Sequence, residues 1–197
     1  MLTDLPNVLT LSRIAAIPIL AVAAALHTPA GDLAACVVFA AAGITDYFDG
    51  RLARDRLQTS DVGRMLDPIA DKLLVGAALM ILAGQGRLTS WGLYPAIIIL
   101  LREILVSGLR EYLAGLRVGL PVTALAKWKT GFQMGALGTL IAGSDTAALL
   151  HLSFLPVPAI GEAMLWIAAV LTLITGWDYL KAGLRHATSP NGAMPRG

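Results

Sequence analysis

Residues 46–71 read DYFDGRLARDRLQTSDVGRMLDPIAD and lie between two strongly apolar stretches of the chain. Four aspartates in this segment follow a fixed spacing, and small residues and one arginine stand between them. The fixed positions are Asp46, Asp49, Gly50, Ala53, Arg54, Gly63, Asp67 and Asp71. Carboxylates within apolar helices are costly to desolvate, so they usually mark a functional site.

Steps of three and four residues place both halves of this segment on helix faces. An α-helix brings residues three or four positions apart onto the same face. One stripe lies near the end of an apolar helix and consists of Asp46, Asp49, Gly50, Ala53 and Arg54. A second stripe lies at the start of the next helix and consists of Gly63, Asp67 and Asp71. If the chain folds back across the polar residues 55–61, we expect the four carboxylates to meet.

Four neighbouring carboxylates repel one another and desolvate poorly unless a cation joins them. Oxygen ligands select hard cations such as Mg²⁺ or Mn²⁺. Gly50, Ala53 and Gly63 leave space for a ligand close to the helix backbones, and Arg54 offers a guanidinium fork suited to phosphate. The residues thus predict a divalent-metal phosphate site. The alternative, a cluster of solvated acids in a loop, is disfavoured because the acids are phased on apolar helices.

The segment resembles the signature of the CDP-alcohol phosphotransferase family, D-x2-D-G-x2-A-R-x8-G-x3-D-x3-D, at every fixed position. The resemblance implies a metal-dependent membrane enzyme with two Mg²⁺ or Mn²⁺ ions, held by Asp46, Asp49 and Asp67, with Asp71 at their edge. Asp71 is also the candidate general base for the acceptor hydroxyl, and its role as base, metal ligand or both remains open. The implied CDP-binding residues are Thr10, Asp46, Asp49, Gly50, Ala53, Arg54, Gly63 and Asp67.

Thr10 belongs to a second polar stripe, at the start of the first apolar stretch. Asn7, Thr10 and Arg13 are three residues apart and share one helix face. One interpretation is a helix cap at Asn7 and an arginine that extends to the membrane surface. The stretch also resembles the P-N-x-L-T-x2-R beginning of the same family, whose first helix helps to wall the nucleotide pocket. That resemblance favours a binding role for Thr10.

The rest of the chain is strongly apolar. Of its 197 residues, 56% are hydrophobic and only 14% are charged, with a mean hydropathy of +0.71. Stretches near the roughly 20 residues needed to cross a bilayer predict an all-α integral membrane protein, a six-transmembrane-helix bundle of the CDP-alcohol phosphotransferase type. The predicted spans are residues 6–26, 33–54, 67–84, 91–113, 123–142 and 160–184. We expect one domain over residues 1–197, with a flexible tail at 186–197.

Lysine and arginine gather at one end of the predicted bundle, around the N-terminus, the second–third and fourth–fifth connections, and the C-terminus. The opposite connections at 27–32 and 143–158 contain neither residue, and the third connection on that side has only Arg87. The positive-inside rule then predicts that both termini and the aspartates are cytoplasmic. We expect a bacterial-type inner membrane, with the lipid bilayer and no nucleic acid among the partners.

Further charged residues lie on the fourth and fifth predicted spans. The adjacent Arg102 and Glu103 are typical of a structural ion pair. Arg110, Lys127 and Lys129, near the cytoplasmic end, are either topology determinants or donors to a second phosphate. Residues 102–114 and 127–133 resemble the R-E-x5-L-R-E and K-x-K-T-x2-Q stretches of the glycerol-phosphate-using branch of the family. This resemblance implies that the three basic residues bind the acceptor phosphate.

The resemblance as a whole implies a phospholipid-synthesising transferase, expected to be a homodimer. It would transfer the phosphatidyl group of CDP-diacylglycerol to sn-glycerol 3-phosphate, giving phosphatidylglycerophosphate and CMP. Two alternatives remain open: the same chemistry on another alcohol (inositol phosphate, serine or phosphatidylglycerol), and a divalent-cation transporter. A transporter would spread its acids through the membrane depth and would not need the glycines, alanine and arginine of the segment.

Overall fold

The computed structural model describes the backbone of residues 5–56, 61–115 and 124–187, and this part of the chain is entirely helical outside its turns. Side chains are described for residues 8–45, 66, 68–115, 124–181 and 183–184. The helices are α1 (Leu5–Ala25), α2 (Pro29–Arg56), α3 (Asp61–Gly84), α4 (Leu93–Gly115), α5 (Ala124–Leu149) and α6 (Val157–Ala187). Each predicted span corresponds to one helix. The predicted tail lies outside the described residues, except for 186 and 187, which end α6.

The short turns between helices contain residues that suit a helix start or end. Before α2, the Thr28 hydroxyl accepts a hydrogen bond from the Gly31 amide at 3.1 Å, and Pro29 occupies the first helical position. Both are favoured at helix N-termini, where backbone amides lack partners. After α3, Gly86 has a φ of +66°, the left-handed conformation that glycine adopts at helix C-termini.

Helix α5 contains a kink that the sequence did not predict. Gly143 has φ 66° and ψ −177°, outside the helical region, and the helix continues beyond it to Leu149. The predicted span ended at residue 142, so it covered only the part of α5 before the kink. A residue with a Cβ would be strained at this φ, and glycine is therefore required.

Helix α1 packs against both helices that carry the aspartate segment, α2 and α3. Helix α5 packs against α2 and α6, and α4 packs against α6 and α3. Large apolar side chains from all six helices fill the core between them: Leu20, Phe39, Leu82, Ile99, Leu137, Leu140 and Leu165. The packing places α1 where its polar stripe can contact the aspartate segment.

The outer surface is apolar and the interior contains polar groups. Large hydrophobic residues are exposed along the outer faces of α1, α4 and α6, among them Ile19, Val22, Ile97, Leu101, Val170 and Leu173. Polar side chains are buried between the helices, among them Thr10, Arg13, Lys129, Gln133 and Thr172. A protein surrounded by water would show the opposite arrangement.

By length and composition, two helical segments within the described part of the chain are apolar enough to cross a membrane, Val8–Ala25 and Val157–Lys181. A shorter apolar helix spans Pro29–Thr45. The other helices contain acids and bases in their sequences, which lowers their apolar content. Together with the apolar outer surface, these helices indicate a membrane protein.

At the end of the bundle that holds the α1–α2, α3–α4 and α5–α6 turns, Arg87 joins three parts of the chain. Its Nη2 donates to Asp32 Oδ1 at 2.5 Å, and its Nη1 donates to the carbonyl oxygen of Ile141 at 2.6 Å. The Asp32 side chain is only 5% exposed, so the ion pair is largely removed from solvent. The guanidinium thus holds the α3–α4 turn against α2 and α5.

Removing this cation should destabilise the fold. Arg87→Met leaves the buried Asp32 carboxylate without its ion-pair partner, which typically costs about 3–5 kcal/mol. The measurement is unfolding in mixed detergent micelles. The double variant Asp32→Asn with Arg87→Met should recover part of this loss, because no buried charge remains. A double variant no more stable than Arg87→Met would contradict the importance of the ion pair and assign the effect to the bond with Ile141.

Candidate active site

The polar stripe of α1 contacts the end of the aspartate segment on α3. Arg13 Nη1 donates to Asp71 Oδ1 at 2.5 Å. The Arg13 side chain is 1% exposed, whereas the Asp71 side chain is 48% exposed. Arg13 therefore does not extend to the membrane surface, and that part of the interpretation is wrong. The side chain of Asn7 lies outside the described residues. Thr10, one turn earlier on α1, is also fully buried.

The remaining aspartates and small residues of the segment lie on two consecutive helices, as their spacing predicted. Helix α2 carries Asp46, Asp49, Gly50, Ala53 and Arg54 in its last turns, and α3 carries Gly63, Asp67 and Asp71 in its first turns. The side chains of these residues, except Asp71, lie outside the described part of the structure. Their helical placement is confirmed, and their convergence on a common ligand stays a prediction.

Lys72 follows Asp71 on α3 and senses the charges of α4. It lies within electrostatic range of Glu103, Asp71, Arg110 and Glu111. Its Nζ also donates to the carbonyl oxygen of Pro68 at 2.5 Å. In the sequence, Lys72 is one of the basic residues at the end of the bundle predicted to be cytoplasmic. Its position directly after Asp71 was the available signal that it belongs to the site.

Glu103 holds two cations at the contact of α4 with α5. Its Oε1 lies 3.5 Å from Arg102 Nη1, which confirms the predicted ion pair, and it also accepts a short hydrogen bond from Lys129 Nζ. Lys129 is 7% exposed. Arg102 further donates through Nη2 to Thr175 Oγ1 of α6 at 2.8 Å. Glu103 thus links α4, α5 and, through Arg102, α6.

The three predicted acceptor-phosphate residues differ in their surroundings. Arg110 on α4 and Lys127 on α5 are exposed, whereas Lys129 is buried against Glu103. Arg110 and Lys129 each lie within electrostatic range of Lys72. Positive charge on α4 and α5 thus lies within electrostatic range of Lys72 on α3. The contact of Lys129 with Glu103 was not visible in the sequence, because the two residues lie on different helices.

Comparison with known proteins decides the family. The model of the CDP-alcohol phosphatidyltransferase family matches residues 3–174, which is most of the chain. The chain belongs to the CDP-alcohol phosphatidyltransferase family. The match includes the aspartate segment, the α1 stripe and the basic residues of α4 and α5.

Curated relatives in this family are similar along nearly their whole length. A CDP-diacylglycerol–glycerol-3-phosphate 3-phosphatidyltransferase of Rickettsia bellii is 45% identical over 179 residues, covering 91% of this chain and 94% of that protein. Proteins with the same name from Cereibacter sphaeroides and Haemophilus influenzae are 40% and 38% identical, covering 93% and 90% of this chain and 96% and 92% of those proteins.

CDP-alcohol phosphatidyltransferases generally depend on a divalent metal, and the donor set of this chain fits one. The acids of the family segment offer only carboxylate oxygens, the ligand type that Mg²⁺ and Mn²⁺ prefer. Where the structure describes His, Cys, Asp and Glu side chains, no three of them converge on a metal position. The candidate ligands remain the carboxylates that the family resemblance implies, those of the aspartate segment.

Glu103 should stabilise the fold through its contacts with Arg102 and Lys129. Glu103→Gln leaves the Lys129 ammonium buried without a carboxylate, a change that typically costs at least 3 kcal/mol. For a chain of this size, the thermal midpoint in detergent should fall by about 6–12 °C. Glu111→Gln is the matched control, because Glu111 is exposed on the same helix. Equal midpoints for the two variants would contradict a stabilising role of the Glu103 contacts.

Proposed function

We propose that this protein transfers the phosphatidyl group of CDP-diacylglycerol to sn-glycerol 3-phosphate, forming phosphatidylglycerophosphate and releasing CMP. The curated relatives that carry this activity in their names are 38–45% identical and align over about nine-tenths of the chain. The aspartate segment supplies the acids such a reaction needs. Family membership also favours a transferase over a cation transporter.

The observation that carries the proposal is the position of Asp71. Its carboxylate is half exposed, and Lys72 beside it lies in electrostatic range of Arg110. An acceptor that carries both a hydroxyl and a phosphate needs a base and a group of cations close together. An uncharged alcohol would have no use for the group of cations, so the arrangement favours an anionic acceptor, and the names of the curated relatives favour glycerol 3-phosphate among such acceptors.

In the proposed reaction, the free primary hydroxyl of glycerol 3-phosphate attacks the β-phosphorus of CDP-diacylglycerol. A new phosphorus–oxygen bond forms there, and the bond from that phosphorus to the oxygen of the departing CMP breaks. The hydroxyl proton passes to the carboxylate of Asp71, which acts as general base. The remaining site residues orient the two substrates so that the hydroxyl oxygen and the phosphorus approach each other.

Asp46, Asp49 and Asp67, with Asp71 at their edge, would hold two Mg²⁺ or Mn²⁺ ions. Such ions neutralise the diphosphate and the oxygen of the leaving CMP. The proposed nucleotide contacts come from the same two helices and from α1, and they comprise Thr10, Gly50, Ala53, Arg54 and Gly63. The small residues among them let the cytidine approach the helix backbones.

Arg110, Lys127 and Lys129 are the proposed acceptor-phosphate residues. Arg110 and Lys127 are exposed and can donate directly to a phosphate. Lys129, bonded to Glu103, contributes its charge from inside the bundle. A phosphate dianion would be repelled by the aspartates, so these cations hold it on the far side of Asp71 from the diphosphate.

The proposal places all six helices across a bacterial-type inner membrane, with both termini and the active site on the cytoplasmic side. The concentration of lysine and arginine at that end supports this orientation. CDP-diacylglycerol then enters from the bilayer, and glycerol 3-phosphate enters from the cytoplasm. We also propose a homodimer and one domain over residues 1–197, from the resemblance to the family.

The assignment is tested by incubating the purified protein with CDP-diacylglycerol, Mg²⁺ and one alcohol at a time. Glycerol 3-phosphate should release CMP, whereas inositol phosphate, serine and phosphatidylglycerol should not. Faster CMP release with one of the other alcohols would show that this alcohol, and not glycerol 3-phosphate, is the acceptor.

Removing metal or one of its ligands should abolish turnover. We expect no CMP release in excess chelator and recovery on adding Mg²⁺ or Mn²⁺. Asp49→Asn should be inactive yet folded in detergent, because an amide keeps the shape of the side chain and loses its charge. Asp145→Asn, an exposed position on α5 outside the segment, is the control and should retain activity. Full activity in chelator would contradict the proposed metal site.

Replacing Arg110 or Lys127 should weaken the binding of glycerol 3-phosphate and leave the binding of CDP-diacylglycerol unchanged. A hydrogen bond to a charged group contributes roughly 1.5–3 kcal/mol, so Arg110→Ala or Lys127→Ala should raise the KM for glycerol 3-phosphate by about tenfold to somewhat over a hundredfold. The KM for CDP-diacylglycerol should stay nearly constant. Lys181→Ala on α6 is a matched control. Wild-type KM values in both test variants would identify these residues as topology determinants.

A further inference from the structure

We propose that Arg13 is a positioning residue for Asp71: its guanidinium holds one carboxylate oxygen so that the other is presented to the acceptor hydroxyl. This inference rests on the proposed function, because it assumes that Asp71 accepts the proton in that reaction. It assigns α1 a part in the chemistry in addition to its proposed contact with the nucleotide.

The contact is direct and connects distant parts of the sequence. Arg13 Nη1 lies 2.5 Å from Asp71 Oδ1, and the two residues are 58 positions apart. Arg13 is among the largest fully buried side chains of the described residues, inside a bundle whose α1 packs on both α2 and α3. Because Arg13 is 1% exposed, it is shielded from a substrate that reaches Asp71 from outside the bundle. Asp71 is thus a described partner through which Arg13 can act on the reaction without touching the substrate.

The ion pairs of Arg13 and Arg87 differ in which partner is the more buried. In both pairs a guanidinium nitrogen lies 2.5 Å from an aspartate oxygen in a distant part of the chain. In the Arg87 pair the aspartate is the more buried partner, at 5% exposure, and it would be left desolvated without its cation. In the Arg13 pair the order is reversed, since Asp71 is 48% exposed and could be hydrated without Arg13. The buried guanidinium is thus not needed to compensate a buried carboxylate.

What the guanidinium does provide is orientation. A half-exposed carboxylate rotates about its terminal bond, because that torsion has no sharp preference. A short, charge-assisted hydrogen bond from a group fixed in the core restricts this rotation. A general base must lie within hydrogen-bond reach of the proton it accepts, and misplacement by about 1 Å can cost on the order of a hundredfold in rate. Fixing Oδ1 therefore matters for turnover more than for substrate binding.

The test compares Arg13→Met and Arg13→Lys with Arg87→Met, which removes the other arginine–aspartate pair. Four quantities are measured on each detergent-purified, full-length protein: kcat, the KM of both substrates, calorimetric binding of a CDP ligand, and the thermal midpoint. We expect kcat of Arg13→Met to fall about a hundredfold. Both KM values and CDP binding should stay within about twofold of wild type, since an unchanged Kd means an unchanged binding free energy. Arg13→Lys should recover part of the kcat, because it keeps a charged donor.

Arg87→Met should lower the thermal midpoint and leave kcat per folded molecule unchanged. If Arg13→Met does not fold, Arg13→Gln takes its place, since it removes the charge but keeps an N–H donor. A wild-type kcat in the folded neutral variant would overturn the proposal, and so would an equal fall of kcat in Arg87→Met. Loss of CDP binding in the neutral variant would also overturn it and assign Arg13 to the nucleotide site. Failure of the proposed function is a separate result, because the wild-type protein itself would then release no CMP with glycerol 3-phosphate.

Discussion

The cost of placing charge inside an apolar helical bundle governs the arrangement of this protein. A charged side chain removed from water is stable only when a partner and further hydrogen bonds replace its hydration. Arg13 meets Asp71, Arg87 meets Asp32, and Lys129 meets Glu103. Each of these pairs joins an arginine or lysine of one segment to an acid of a different helix. Together they link α1 to α3, the α3–α4 turn to α2, and α4 to α5.

These pairs also divide the bundle into two ends with different properties. At the end with Arg87, the ion pair is largely sealed and holds turns together. At the other end, Asp71 is half exposed and Arg110 and Lys127 are open to solvent. The end where no substrate is proposed to bind thus has a sealed ion pair that holds its turns together. The proposed active-site end keeps charged groups accessible, as a reaction between two phosphorylated substrates requires.

The helices could be predicted from the sequence because their signals are local. Apolar length, turn residues and steps of three and four positions located six helices and put the aspartates on two of them. The kink at Gly143 was missed, since a lone glycine in an apolar stretch does not reveal its φ. The partner of Arg13 was missed for a different reason. Helical spacing defines which residues share a face of one helix, but the partner of a buried charge depends on how two helices pack. The same limit applies to Lys129, whose predicted role in phosphate binding rested on its neighbours in sequence.

The ion pair of Arg13 with Asp71 cannot form until α3 has been synthesised. Arg13 belongs to the first helix, and its partner follows 58 residues later on the third. During synthesis α1 must therefore leave the ribosome with a guanidinium whose carboxylate has not yet been translated. An arginine in a lone helix is unfavourable in lipid, so α1 should remain at the edge of the insertion machinery until α3 arrives. Burial of Arg13 and packing of α1 against α3 would then occur as a single cooperative event.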